Sequence, residues 1–189
     1  AISVSGSVDS FVELMNNKAS ELGLSNTHFS NPHGLDDENH YTTAKELAII
    51  ATYAMKNPLF AEIVSTYKRV IPLGDNGSRV LINHNKLLRS FDGTLGIKTG
   101  FTKKSGRCLV SCAERDGVKL VCVTINAPSD WSDHKELLEL GFSKFENIKL
   151  ANAGDYILSL DVINGKKSSI LCTNFDNLNI TLPKSSLSI

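Results

Sequence analysis

Three things are scarce in this chain: net charge, long apolar runs and cysteines at metal-binding spacing. Its 20 basic and 20 acidic residues cancel, which removes the electrostatic footprint expected of a nucleic-acid binder. No stretch approaches the roughly 18 apolar residues of a membrane-spanning helix. The cysteines, Cys108, Cys112, Cys122 and Cys172, include no C-x-x-C pair. His28, His33, His40 and His134 fit none of the usual zinc spacings, so no metal is expected. A charged-then-apolar leader is also missing, but the first residues already read as the interior of a domain, which leaves export open. What is present is apolar content, 41% of 189 residues, enough for a real core and one to two domains.

Apolar residues recur at helical spacing over residues 8–22, at Phe11, Leu14, Met15, Ala19 and Leu22, with Ser7 able to cap the start and Gly23 to stop it. Residues 25–39 are a loop rich in Ser, Asn, Asp and Gly. Thr43-Ala44-Lys45-Glu46 is a capping box opening a second helix, whose buried face carries Leu47, Ile50, Ala51 and Ala54. Asn57 caps a short third helix with Pro58 at its first position, followed by Leu59, Phe60 and Ile63.

After Lys68 the texture shortens to β runs. Residues 69–73 and 78–83 flank Gly74-Asp75-Asn76-Gly77 as a hairpin. A second hairpin, 107–113 with 119–125, turns at Asp116-Gly117 and carries three cysteines. A two-residue turn sets Cys112 opposite Val121, so Cys112 and Cys122 face opposite sides and stay unbridged. A one-residue slip would set them face to face. Ser129-Asp130 or Ser132-Asp133 caps a last helix carrying Leu137, Leu138, Leu140, Gly141 and Phe145. Helices before and after an antiparallel sheet predict an α+β layered domain over residues 1–146. Residues 147–189 alternate apolar and polar between turn residues, including Asn164-Gly165, and predict a small all-β module.

The chemistry is concentrated in Gly96-Ile97-Lys98-Thr99-Gly100-Phe101-Thr102. K-T-G is one of three motifs that penicillin-recognising serine acyl-transfer enzymes use together, the others being S-x-x-K and S-x-N. Other blocks stand in a fixed order around it: Phe11-Val12-Glu13-Leu14-Met15-Asn16, Asn31-Pro32-His33-Gly34-Leu35, His40-Tyr41-Thr42-Thr43-Ala44, Asn83-His84-Asn85-Lys86-Leu87-Leu88 and Ser105-Gly106-Arg107-Cys108-Leu109-Val110. From about residue 7 to about residue 146 the chain resembles the D-alanyl-D-alanine carboxypeptidases, the low-molecular-weight penicillin-binding proteins. The resemblance implies a penicillin-binding-protein/β-lactamase-like transpeptidase domain, here incomplete, with a β-rich second domain behind it. It implies hydrolysis of a peptidoglycan stem peptide ending in D-Ala-D-Ala through an acyl-serine, without metal or organic cofactor. It also implies β-lactam antibiotics as ligands of the intact enzyme, and a bacterial, extracytoplasmic location in the cell envelope. Members of that family often carry a C-terminal amphipathic anchor; nothing after Leu182 resembles one, which leaves membrane attachment open.

Two family motifs are not where the resemblance puts them. S-x-N does not occur. The S-x-x-K at Ser65-Thr66-Tyr67-Lys68 lies between the Phe11 block and K-T-G, whereas the family's nucleophile opens a helix upstream of both. Ser65 is thus a candidate nucleophile only for a rearranged enzyme; its other reading is a helix-to-strand joint. The resemblance assigns Lys98 a catalytic and substrate-binding cation, Thr99 a hydroxyl for the substrate carboxylate, and Phe101 a backbone N–H in the oxyanion hole, a donor worth about 3 to 4 kcal/mol. Gly100 lets substrate backbone approach because it has no Cβ. Thr102 is either a further cleft hydroxyl or an ordinary strand threonine, and His84 either a group near the substrate carboxylate or a surface loop residue. The expectations for the whole are three: a carboxypeptidase whose nucleophile lies outside this chain, inactive alone and completed by further polypeptide or a second chain; a non-catalytic peptidoglycan-binding or scaffold protein; or the rearranged enzyme. A cavity behind Lys98 is expected if a nucleophile-bearing helix belongs there.

Overall fold

The computed structural model describes residues 1–74 and 77–187. Asp75 and Asn76, the centre of the first expected hairpin turn, lie outside the described residues. The chain divides into two compact units, one of residues 1–114 and 119–140, the other of residues 115–118 and 141–189.

The first unit opens with a single helical turn, α1 (Ile2–Ser5), then α2 (Val8–Glu21), α3 (Ala44–Ala54) and α4 (Pro58–Ser65). Each of the three longer helices starts where a side chain accepts an otherwise orphaned N–H. Ser7 Oγ takes Ser10 N–H at 3.0 Å, Thr43 Oγ1 takes Glu46 N–H at 3.2 Å, and Asn57 Oδ1 takes the N–H groups of Leu59 and Phe60. The capping box at Thr43 is only half made. Glu46 does not turn back to its own helix; its carboxylate accepts Asn26 N–H at 3.0 Å and the Thr27 hydroxyl, fixing the loop that leads into α3. The Thr27 hydroxyl, helped by the Asn26 bonds and opposed by burial, holds the Glu46 carboxyl below the usual range.

Strands β1 (Lys68–Pro72) and β2 (Ser78–Ile82) pair antiparallel as an isolated two-stranded ribbon, every residue of which is exposed. A short helix, α5 (Leu87–Ser90), leads into the central sheet of β3 (Thr94–Thr102), β4 (Gly106–Arg115) and β5 (Val118–Thr124), in the order β3-β4-β5. The β4–β5 turn is the two-residue Asp116-Gly117 connection, both residues at positive φ (49° and 76°), the hand that matches strand twist. Helix α6 (Asp130–Lys144) follows, its first free N–H groups, those of Ser132 and Asp133, bonding to Ser129 O. Of the two expected starts, Ser129-Asp130 is the one used.

Ala51 of α3, Ile97 of β3 and Cys112 of β4 form the centre of the core, with Met55, Phe60, Val64, Leu95, Val110 and Val121 around them. α4 packs against the start of β3 so closely that a Cβ on Gly96, whose φ is 134°, would meet Val64 Cγ2 at 2.8 Å. Glycine is therefore the residue that admits this contact. Leu59 and Ile63 of α4 stay 64% and 62% exposed. All four cysteines are free thiols, and burial pushes Cys112 and Cys122 up to about 11.

The second unit holds β6 (Phe145–Ala151), β7 (Tyr156–Asp161), β8 (Ser169–Thr173) and β9 (Leu178–Pro183), with a final 3₁₀ turn, Lys184–Leu187. β6 pairs with β9 and β7 with β8, both antiparallel. β6 is an addition to the expected strands. It follows Lys144 without a Gly, Pro or Asn to mark the change, so the helical pattern runs straight into it.

Candidate functional site

β3 is an edge strand of its sheet, with β4 on one side. Its register on β4 sets Lys98 opposite Val110, Gly100 opposite Cys108 and Phe101 opposite Arg107. Side chains alternate along a strand, so Lys98 and Thr99 leave on opposite faces. The strand consequently presents its motif to two grooves.

On one side lies a groove of about 330 Å³ whose lining includes Lys98, Thr99 and Gly100 of β3, Cys108 of β4, and Ile50 and Phe60 of the helices. It is the space behind Lys98. Lys98 is exposed, and its Nζ donates to Thr99 O. On the other side is a groove of about 300 Å³ lined by His84, Thr99, Gly100, Phe101, Arg107, Asp130 and Trp131. Phe101 is 69% exposed and forms a wall, outside the core.

His84 reaches this groove because its two neighbours fix the turn. Asn83 Nδ2 donates to Val64 O and Thr66 O, and Asn83 Oδ1 accepts Asn85 N–H at 2.9 Å. Asn85, buried, then accepts Leu87 N–H to start α5. The Asn-His-Asn triplet is thus a bracket holding an exposed imidazole beside β3.

Gly100 differs physically from Gly96. A Cβ built on it would meet nothing nearer than Cys108 Cβ, at 3.7 Å, an ordinary contact. The fold itself would accept a side chain there. Thr102, by contrast, lines neither groove. Its hydroxyl donates to Asp36 Oδ1 at 2.7 Å, lies 2.8 Å from Ser105 Oγ and accepts Ser105 N–H at 2.9 Å. It clasps the loop of residues 31–40 to the end of β3.

Ser65 ends α4, and its hydroxyl donates back to Glu62 O at 3.1 Å, as a helix-to-strand joint would. A second S-x-x-K spacing, Ser132-Asp133-His134-Lys135, goes unweighed when motifs are sought in family order. It lies in the first turns of α6, with Ser132 exposed and its hydroxyl donating to Glu136. His134 in the same turn is fully buried, between Ser111 Oγ at Nδ1 and Thr124 Oγ1 at Nε2. Among the described residues no group of three or more His, Cys, Asp or Glu is placed to hold a metal ion. His28 instead stacks on Tyr41, His33 accepts Leu35 N–H and His40 accepts Ser30 N–H.

Sequence reasoning passed over Arg107 and Asp130. They form an ion pair inside the second groove, Nε and Nη2 each 3.1 Å from Asp130 Oδ1. The available signal was the short Lys103-Lys104-Ser105 link after β3, which brings the chain back beside the K-T-G strand at Arg107.

β3 is thus an antiparallel edge strand that carries Lys-Thr-Gly and has a groove on each face. Residues 1–129 match the D-alanyl-D-alanine carboxypeptidase family profile, and the chain belongs to that family. It is 31% identical over 184 residues to the D-alanyl-D-alanine carboxypeptidase DacF of Bacillus subtilis, covering 96% of this chain and 47% of that one. With DacA of Haemophilus influenzae it shares 33% identity over 193 residues, covering 96% and 46%. Penicillin binding protein 5 from Haemophilus influenzae superposes with a TM-score of 0.75 at 33% identity, over 99% of this chain and 55% of that chain. The Streptomyces K15 DD-transpeptidase superposes at 0.68 and 34% identity, over 71% of this chain and 55% of that one. The α+β architecture is that of these structures. The chain spans about half the length of the relatives it matches.

Proposed function

We propose that this chain carries the substrate-binding half of a serine-type D-alanyl-D-alanine carboxypeptidase that acts on peptidoglycan stem peptides in the bacterial cell envelope. The observation that carries this reading is the Gly96–Thr102 segment of β3, an open edge between two grooves. A peptide ending in D-Ala-D-Ala lies along that edge as an added strand, with Gly100 giving its backbone room. Lys98 supplies positive charge on one face and the Thr99 hydroxyl a donor on the other. Phe101 N–H serves as one oxyanion donor, and His84 stands near the carboxylate end. Thr102 acts by holding the end of β3 through Asp36. Residues 1–146 carry the cleft, and residues 147–189 are an appended β module.

The acyl-serine step needs a nucleophile with a base in hydrogen-bond reach. Neither Ser65 nor Ser132 is arranged that way: their hydroxyls go to Glu62 O and Glu136. The nucleophile and the S-x-N group therefore belong to polypeptide outside this chain, which alone is inactive. Labelling with a fluorescent penicillin tests this. The expected result is no covalent label on the 189-residue chain, and a label once the other half of a relative, bearing S-x-x-K and S-x-N, is supplied. Covalent labelling of this chain by itself would overturn the reading and point to Ser65 or Ser132. Failure of every completed form to label would favour the non-catalytic peptidoglycan-binding protein.

A further inference from the structure

We infer that the β1–β2 ribbon and the groove between it and α4 form a lipid-docking surface, one that settles into the headgroup region of an anionic bilayer. None of the residues lining that groove lines either groove beside β3, so this property is separate from peptide binding.

Its first support is where the apolar side chains stand. Among the described residues β1 and β2 pair only with each other, and every residue of both strands is exposed. Paired residues share a face of the ribbon and neighbours along a strand alternate. Val70, Val80 and Ile82 therefore occupy one face, Ile71 and Leu81 the other. The first three are each at least half exposed. Ile71 and Leu81 line a groove of about 460 Å³ with Leu59 and Ile63, the exposed apolar residues of α4. Apolar groups on both sides of one ribbon exceed what a protein docked on a single face would cover. A fluid interface closes around both. Strand addition is also disfavoured along β1, where Lys68 and Pro72 are the residue types that block edge pairing.

Its second support is charge. Residues 66–83 carry Lys68, Arg69 and Arg79 against Asp75 alone, in a chain whose basic and acidic residues cancel overall. Lys68 stands on the first face of the ribbon, Arg69 and Arg79 on the second. Among the described residues none of the three forms an ion pair. Glu62 is the one acid lining the groove, and Arg69 lines it too. The long stems of Lys and Arg let their charged heads reach headgroup phosphates while apolar neighbours sink below them. Each cation held at an anionic surface adds about fivefold to the affinity. Cations interleaved with apolar residues thus select an anionic membrane over a neutral one.

The test floats the 189-residue chain with vesicles of equimolar phosphatidylcholine and phosphatidylglycerol, and with vesicles of phosphatidylcholine alone. The chain should rise with the anionic vesicles, remain below with the neutral ones, and bind less as salt is added. The double variant Arg69→Gln/Arg79→Gln should weaken binding by about twenty-fivefold. Val70→Ser/Val80→Ser should weaken it by about tenfold. All four positions are exposed, so neither variant removes core packing, and an unchanged circular dichroism spectrum checks this. Leu14→Ser, on the apolar face of α2, should leave vesicle binding as it is. Binding that is undiminished in both double variants, or lost equally in Leu14→Ser, overturns the assignment to the ribbon. Failure to float with anionic vesicles overturns the lipid, and self-association abolished by the ribbon variants would then name a second copy of this chain as the occupant.

Discussion

His134 is a titratable side chain sealed from solvent, and the sequence around it looks like any amphipathic helix. Its neutral imidazole spans Ser111 on β4 and Thr124 on β5, tying α6 to the sheet that carries Lys98. Burial is the main force lowering its pKa, to about 4, against the pull of Asp130 and Asp133. An unfolded histidine titrates near 6.5, so below that pH the unfolded chain binds the extra proton first. Stability from His134 is complete above about pH 6.5 and declines as pH falls toward about 4, by up to about 3 kcal/mol. Urea unfolding across that range should show the loss in wild type and a flatter profile in His134→Gln. Identical slopes would mean that the imidazole is not kept neutral by the fold. Glu46, whose folded pKa is lowered, contributes in a separate window, above its unfolded value near 4.3, and that stability is lost at still lower pH. Gly100 gives a second residue-scale prediction. Gly100→Ala should leave thermal stability unchanged within about 0.5 kcal/mol, because the fold has room for the methyl, yet weaken D-Ala-D-Ala peptide binding in a titration. A destabilised but fully binding variant would show that the glycine serves the fold. Lys98, Thr99, Gly100 and Phe101 stand together in the sequence as a motif, while the pairing of Arg107 with Asp130 is not visible there, because only the folded turn brings the two within reach.

At the scale of elements, helix starts were legible because their signals are local. Ser7, Thr43 and Asn57 each cap a helix through an N–H two or three residues on, and a sequence displays that spacing. What Glu46 does was hidden, since its partners Asn26 and Thr27 lie in an upstream loop with no periodicity. The two contributions separate on mutation. Thr43→Ala should cost about 1 kcal/mol, the usual value of a cap. Glu46→Ala should cost more, about 2 kcal/mol, because it leaves Asn26 N–H without its acceptor and the buried Thr27 hydroxyl with Thr42 alone. Denaturant midpoints at neutral pH decide the order; a costlier Thr43→Ala would mean that the Asn26–Glu46 link is dispensable. β6 was missed for the opposite reason from Glu46. Its signal is local, but no breaker separates it from α6.

At the scale of the whole molecule, apolar faces of α2 and α3 remain accessible. A groove of about 290 Å³ runs between α2 and α3, lined by Phe11, Leu14, Met15, Ala19 and Ile50 among others, and Leu14 and Tyr53 are about half exposed (51% and 46%). Together with the groove behind Lys98 it leaves apolar surface of the kind that usually marks an interaction site. A hydrophobic dye such as ANS should fluoresce with the folded chain, and the signal should fall when the other half of a relative is supplied. An unchanged signal on a demonstrably formed complex would show that the added polypeptide packs elsewhere. Sequence could foretell that these faces are apolar from their 3.6-residue spacing. It could not foretell that two separate grooves flank one strand, which follows from α3 and α4 bordering one side of β3 while the His84 turn and the start of α6 border the other.

The open edge of β3 also makes the site subject to competition. Backbone groups along an edge with no strand beside it do not distinguish a substrate from any other extended chain that can reach them. At high concentration the most abundant extended chain is another copy of this protein, so self-pairing through β3 and peptide binding draw on the same groups and must be mutually exclusive. Sedimentation at rising protein concentration should reveal association that an excess of D-Ala-D-Ala peptide dissolves, and the apparent affinity for that peptide should weaken as the protein is concentrated.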